Sequence, residues 1–192
     1  MDLAGLVARA PSLSLAGPRL LMRRFTAADV PFAIAQENDR AIMQWIRDPQ
    51  PADAVRARAE TMAAPWQGRD GEWLAFTVVP DDVGHAVGIA VCRVTTAANA
   101  TMEIGYRLAA EVHRRGYGFA ACATLCTFLF GEVGVRKLIA LCAAENEPSW
   151  RLLEKLGMRR EAHLREYSFL AGAWRDEFAY GLLAREWRFA GR

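Results

Sequence analysis

No two of the four cysteines, Cys92, Cys122, Cys126 and Cys142, stand at CxxC spacing, and the three histidines do not fall at zinc-ligand distance from them. A structural zinc site and a thioredoxin-like redox pair are both excluded by that spacing, and no metal is expected. Cys122 and Cys126 lie four apart in an apolar helical pattern, where a thiol behaves as a small buried hydrophobe, and reduced thiols point to a cytoplasmic protein. Long apolar runs are missing too. Every stretch is broken by charge or glycine before the ~20 residues of a membrane span, and residues 1 to 17 lack the basic start and apolar core of a signal peptide. A single-sign charge excess is also absent. With 24 basic against 22 acidic residues the formal charge is +2, which gives no broad field to draw nucleic acid or a membrane surface.

What the chain does have is apolar mass, 53% of its 192 residues, ample for the core of one domain. It also has a glycine-punctuated segment, His113 to Ala121 (HRRGYGFAA), that runs straight into a helical apolar pattern. Gly116 and Gly118 let the backbone turn so that successive amides converge on one anion at a helix N-terminus, and Arg114 and Arg115 add positive charge. Neither a Walker lysine motif nor a GxGxxG after a first strand is present, so this is a phosphate nest without a named nucleotide.

Around that loop the pattern alternates strand and helix. Pro18 to Phe25 reads as an opening strand, Ala27 to Ile46 as helix broken near Asn38 and Asp39, and a further helix follows Pro51 to Met62. Trp73 to Val79 and Ala86 to Thr95 form an antiparallel pair, and Met102 to Leu108 is the strand that enters the loop. Phe119 to Phe130 is a buried helix stopped by Gly131, then Lys137 to Ala143 is a strand and Glu147 to Leu156 a helix closed by Gly157. Arg160 to Leu170 and Trp174 to Leu183 close the chain as a hairpin. This order predicts an α/β (α+β) fold: one mixed sheet with helices on its faces, an N-terminal extension over 1 to 17 and a single domain over 18 to 192.

Three segments in this order, MEIGYRL at 102 to 108, HRRGYGFAA at 113 to 121 and ENEPSWRLLEKLGM at 145 to 158, followed by the hairpin, resemble the GNAT N-acetyltransferase superfamily over roughly residues 18 to 187. Within it the chain is most similar to the branch of ribosomal-protein N-terminal acetyltransferases, the RimJ/RimL type, through Asn146, Ser149 and EKLGM. The resemblance implies a mostly antiparallel central sheet with a splayed central strand pair. It also implies an acetyl-CoA site in which Arg114, Arg115, Gly116, Tyr117, Gly118 and Phe119 hold the pyrophosphate by their amides, while the strand end at Leu108 pairs with the pantetheine arm. His113 stands where the family commonly has Gln or Arg, and Ala120 where the branch often has Glu.

Acetyl transfer to an amine needs an uncharged nucleophile, an oxyanion donor and a proton for the leaving thiolate. By resemblance, Glu103 is the general base, directly or through water. Ser149 is the proton donor, since Leu153 occupies the position where relatives often carry a tyrosine. A helix-capping hydroxyl is the competing reading of Ser149, and capping and cofactor contact are compatible roles for Asn146. The branch's further carboxylate falls on Ser168 here, leaving Glu166, two residues away on the same face of a regular strand, as its substitute. Trp45 is the foremost acceptor-wall candidate, ahead of Trp66 and Trp73, and Arg47, Arg165 and Arg175 are candidates to select an acidic acceptor.

These readings converge on an acetyl-CoA-dependent N-acetyltransferase in which a primary amine, of a protein N-terminus or a small molecule, attacks the thioester in a ternary complex without a cysteine intermediate. A non-catalytic acyl-CoA-binding module is the rival. The resemblance leans toward a homodimer, and Trp174, Phe178 and Tyr180 serve either that interface or the domain's own sheet.

Overall fold

The computed structural model describes residues 1 to 188; residues 189 to 192, at the end of the expected domain, lie outside the described residues. The first seventeen residues join the fold directly. Helix α1 (Leu3–Arg9), strand β1 (Ser14–Gly17) and the turn between them bury Leu6, Ala10, Leu13 and Leu15. Strand β1 escapes the sequence pattern because four residues with one inward leucine carry almost no alternation. It then pairs antiparallel with β2 (Leu20–Arg24).

Thr26 begins a capping box that Asp29 completes, after which come α2 (Val30–Asn38), α3 (Arg40–Met43) and α4 (Ala52–Ala63). The break between α2 and α3 falls at Asp39, whose carboxylate caps the Ala41 amide. Strands β3 (Trp73–Pro80), β4 (Gly88–Thr96) and β5 (Thr101–Leu108) extend the antiparallel ladder. Helix α5 (Tyr117–Phe128) then crosses one face of the sheet.

Gly131 does not stop α5. The helix runs on through a wide π-type turn, Leu129–Val133, and ends at Gly134, whose φ of 72° supplies the left-handed stop. The chain closes with β6 (Lys137–Ala143), α6 (Glu147–Lys155), β7 (Arg159–Leu170) and β8 (Ala173–Leu183). Among the described residues the eight strands lie in the order β1-β2-β3-β4-β5-β6-β8-β7, and only β5 and β6 are parallel neighbours.

Two apolar clusters hold the layers together. The larger lies between the sheet and α1, α5 and α6, and includes Met22, Phe76, Met102, Leu125, Leu129 and Leu138. The smaller, built on Phe25, Val30, Ala33, Ala59, Ala75 and Ile89, packs α2 and α4 on the opposite face. Tyr180 is buried in the chain's own core, whereas Trp174 is 59% exposed at the hairpin.

Candidate active site

The parallel ladder between β5 and β6 covers only Thr101 to Glu103 against Lys137 to Ile139, and beyond it the two strands part. From Ile104 to Leu108 the β6-facing edge of β5 has no ladder, so its backbone groups, apart from the Leu108 carbonyl that the His113 ring meets, are open to pair with an extended amide-bearing molecule. The glycine loop follows where this opening widens. Arg114 (φ 60°) and Gly116 (φ 88°) are both left-handed, and no side chain caps α5 at its N-terminus. The amides of Tyr117 and Gly118 precede the first intrahelical acceptor bond, from the Ala120 amide to the Gly116 carbonyl, and remain as donors.

The side chains around this loop mostly turn away from it. Tyr117 donates its hydroxyl proton to Asp82 in the β3–β4 turn, and the Arg115 Nη2 lies 2.9 Å from the same carboxylate. That hydrogen bond to Tyr117 is the chief cause holding the Asp82 carboxyl below its usual range. The His113 ring Nε2 lies 3.0 Å from the Leu108 carbonyl, which folds the loop back on the strand end. Gly118 has a different role from Gly116. A Cβ on Gly118 would lie 3.0 Å from Leu152 and 3.3 Å from Tyr106, whereas one on Gly116 would meet nothing within 4 Å. The open space is at Gly116; Gly118 is a packing contact between α5, α6 and β5.

Across the opening, Asn146 caps α6 by accepting the Ser149 amide at 3.3 Å. The Ser149 hydroxyl is engaged with the hydroxyl of Tyr106, whose pKa is pushed up chiefly by burial. Ser149 therefore pairs through its side chain with a phenol on β5. Sequence reasoning did not single out Tyr106, because its partner Ser149 lies on a distant helix and no local pattern joins the two.

On the other face of β5, Glu103 is buried and receives both Arg93 Nε (2.9 Å) and Nη2 (2.6 Å) on one carboxylate oxygen, Oε2. Arg93 in turn lies 4.5 Å over the Trp73 ring. Trp66 is core, donating its indole N–H to the Glu72 carbonyl. Trp45 is half-buried after α3, in a segment tied to the β7–β8 tip because both Asp48 carboxylate oxygens accept the Ala171 amide, at 3.0 and 3.1 Å.

The expectation of a regular strand at Glu166 does not hold. The β7–β8 register passes from Leu164↔Glu177 to Ser168↔Arg175, a bulge in which Glu166 is left-handed (φ 50°) and its amide donates to Asp176 at 2.9 Å. Alternation cannot be counted through such a bulge, so Glu166 and Ser168 do not share a face by spacing. Arg165, Glu166 and Asp176 line a surface hollow of about 370 Å³ there. Arg175 is paired with Glu145 at 3.2 Å. The sequence candidates thus fall into a group around the β5–β6 opening (Glu103, Leu108, Gly116 to Phe119, Asn146, Ser149) and a group on the hairpin (Glu166, Ser168), with Trp45 in the segment anchored to that hairpin's tip.

The family described as "Acetyltransferase (GNAT) domain" matches residues 19–159. The N-acetyltransferase YnaD of Bacillus subtilis is 27% identical over 88% of this chain and 96% of its own. The [Ribosomal protein uS5]-alanine N-acetyltransferase of Escherichia coli is 22% identical over 72% of this chain and 76% of its own. Spermidine N-acetyltransferase of Vibrio cholerae, solved with CoA and spermine, superposes with a TM-score of 0.76 at 20% identity, covering 88% of this chain and 97% of that one.

Proposed function

Since the chain belongs to the GNAT acetyltransferase family, and is on that ground an acetyl-CoA-dependent N-acetyltransferase, we propose that its reaction centre is the mouth of the β5–β6 opening and its acceptor a primary amine. The observation that carries this assignment is the junction of unpaired strand edge and uncapped helix N-terminus: Leu108, then left-handed Gly116 beside open space, then the amide donors of Tyr117 and Gly118. A diphosphate is stabilised there by N–H groups and the helix dipole, and a pantetheine arm by the β5 backbone. Arg114, Arg115, Gly116, Tyr117, Gly118 and Phe119 hold the first, by backbone, and Leu108 the second.

Bound acetyl-CoA supplies an activated acetyl thioester. The chain's own groups manage protons. Glu103 takes the proton of the incoming ammonium through the carboxylate oxygen that Arg93 leaves unbonded, or through one water. Ser149, held by the Asn146 cap and by Tyr106, presents a hydroxyl to the departing sulfur. Trp45 walls the acceptor on one side, in the segment that Asp48 ties to the hairpin tip, and the hairpin carrying Glu166 and Ser168 closes it on the other. None of the four cysteines is used; all are buried and unpaired, which accords with a cytoplasmic protein. Exposed Tyr167, Phe169 and Trp174 on the hairpin support a homodimer formed through it.

The test is acetyl-CoA titration by calorimetry, followed by thiol release with a panel of amines for the wild type and Glu103→Gln. Binding together with a fall of about 100-fold in kcat for the variant is expected. An unchanged kcat would remove Glu103 from the chemistry, and absence of acetyl-CoA binding would overturn the assignment of the opening.

A further inference from the structure

On the acceptor face of β5, Glu103 and Arg107 flank Gly105, so a carboxylate and a guanidinium lie roughly 7 Å along the strand on either side of a position without a side chain. Arg107 does not stand alone. Its Nη1 is 2.6 Å from the Glu37 carboxylate, which is 3% exposed and also faces Arg58 at 3.2 Å and Arg47 at 3.9 Å. Three guanidiniums thus share one carboxylate, and the cluster holds two uncompensated positive charges.

Electrostatics and hydrogen bonding agree that it is unfinished. Burial, together with the charges of Arg58 and Arg107, pushes Arg47 below the usual arginine range despite Glu37. Arg107 Nε donates to the Gln36 Oε1 at 3.1 Å, yet Gln36 Nε2 and Arg107 Nη2 are buried with no hydrogen-bond partner among the described residues. Gln36 is 3% exposed, so these are donors shut away from water, each costing about 1–3 kcal/mol if left unmade. Arg47 and Arg58 keep about a third of their side-chain surface open, which gives the cluster an entrance. Arg47 also adjoins Asp48, the residue that ties this region to the hairpin tip.

We infer that the acceptor amine belongs to a molecule that also bears a carboxylate, and that Arg47, Arg58 and Arg107 with Gln36 receive that carboxylate while the amine lies near Gly105 and Glu103. The inference rests on the acetyl-transfer reading above and sharpens its substrate class. The spacing along β5 sets the distance: the carboxylate of a free α-amino acid, one carbon from its amine, is too near. An acidic side chain early in a peptide, or a terminal carboxylate several carbons away, spans it. A polyamine brings positive charge to positive charge and is disfavoured.

The test measures kcat/KM for the C-terminally amidated peptides Ala-Glu-Ala, Ala-Ala-Ala and Ala-Lys-Ala, for spermidine, and for 6-aminohexanoate against its amide. A preference of about tenfold or more for carboxylate-bearing acceptors, carried mainly by KM, is expected, and Arg47→Glu and Arg58→Gln should each collapse the ratio. The peptide and aminohexanoate arms tell a peptide acceptor from a small one. Equal rates for acidic and neutral acceptors, or a ratio unmoved by the variants, would overturn the inference. Acetyl-CoA affinity serves as the folding check, with Arg47→Gln in reserve if the charge reversal fails it. Should no amine release thiol, the acetyl-transfer reading fails separately. Calorimetry with N-acetylated Ala-Glu-Ala amide and CoA then decides the carboxylate site alone, through binding that Arg47→Gln abolishes or leaves intact.

Discussion

Gly116 and Gly118 are one residue apart and the structure gives them different constraints. At Gly116 the constraint is the backbone, φ 88°, and the open side of the loop; a side chain there costs about 1–2 kcal/mol in the left-handed region and intrudes where a phosphate would approach. At Gly118 it is Leu152 and Tyr106, which would stand 3.0 and 3.3 Å from an added methyl group. Gly116→Val should therefore weaken acetyl-CoA binding by tenfold or more, about 1.4 kcal/mol, with a modest change in Tm. Gly118→Ala should lower Tm and slow turnover by shifting Tyr106 against Ser149. Paired titrations and melts distinguish these outcomes, and identical behaviour of the two variants would refute the division of roles. The thiols allow a second prediction. Burial pushes Cys92 and Cys122 up to about 12 and Cys142 to about 11, so at pH 8 only about one part in 10³ to 10⁴ of each is thiolate. Iodoacetamide should leave native activity intact and label all four only after denaturation; rapid inactivation would place a cysteine in the chemistry.

Elements with a strong local period were legible from the sequence, and those shaped by a distant partner were not. The cap at Thr26 and the break at Asp39 carry their cause within three residues, so helix starts on this side fall where the pattern puts them. What the pattern could not supply is Arg23, two-toothed on Asp29 at 2.7 Å from the preceding strand. Burial tends to raise the Asp29 pKa, but the Arg23 hydrogen bonds and the Thr26 amide outweigh it and hold it low. The folded value lies below the unfolded one, so this carboxylate stabilises the fold above about pH 4, and the contribution is lost as pH falls through the depressed value. Asp29→Asn should cost about 1–3 kcal/mol at pH 7, with the gap to wild type narrowing below pH 4 in urea melts. The bulge at Glu166 was illegible for a related reason: its cause is Asp176 on the opposite strand, which accepts the Glu166 amide and lies 2.6 Å from His163.

At the scale of the whole molecule, the order of strands and helices and the glycine loop were open to sequence reading because each is a contiguous signal. The Glu37 cluster was not, since its members stand up to 71 residues apart and only sheet assembly brings Arg107 to α2. Assembly also leaves the central seam short: β5 and β6 share three rungs, while β6 continues along β8 from Lys137 to Ala143. The sheet is thus two antiparallel blocks, β1 to β5 and β6 to β8, joined by a brief parallel ladder and by α5 and α6. A ligand lying in the seam and touching both blocks should stabilise the pair as a unit. With acetyl-CoA at 100 times its Kd, linkage adds about 2.7 kcal/mol, or roughly 5–10 °C in Tm for a chain of this size. Hydrogen exchange should slow together in Ile104 to Leu108, in Tyr117 to Phe119 and in the first turn of α6. Protection confined to the glycine loop, with Tm unmoved, would mean that the ligand binds by its phosphates alone and that the seam is not the pantetheine channel.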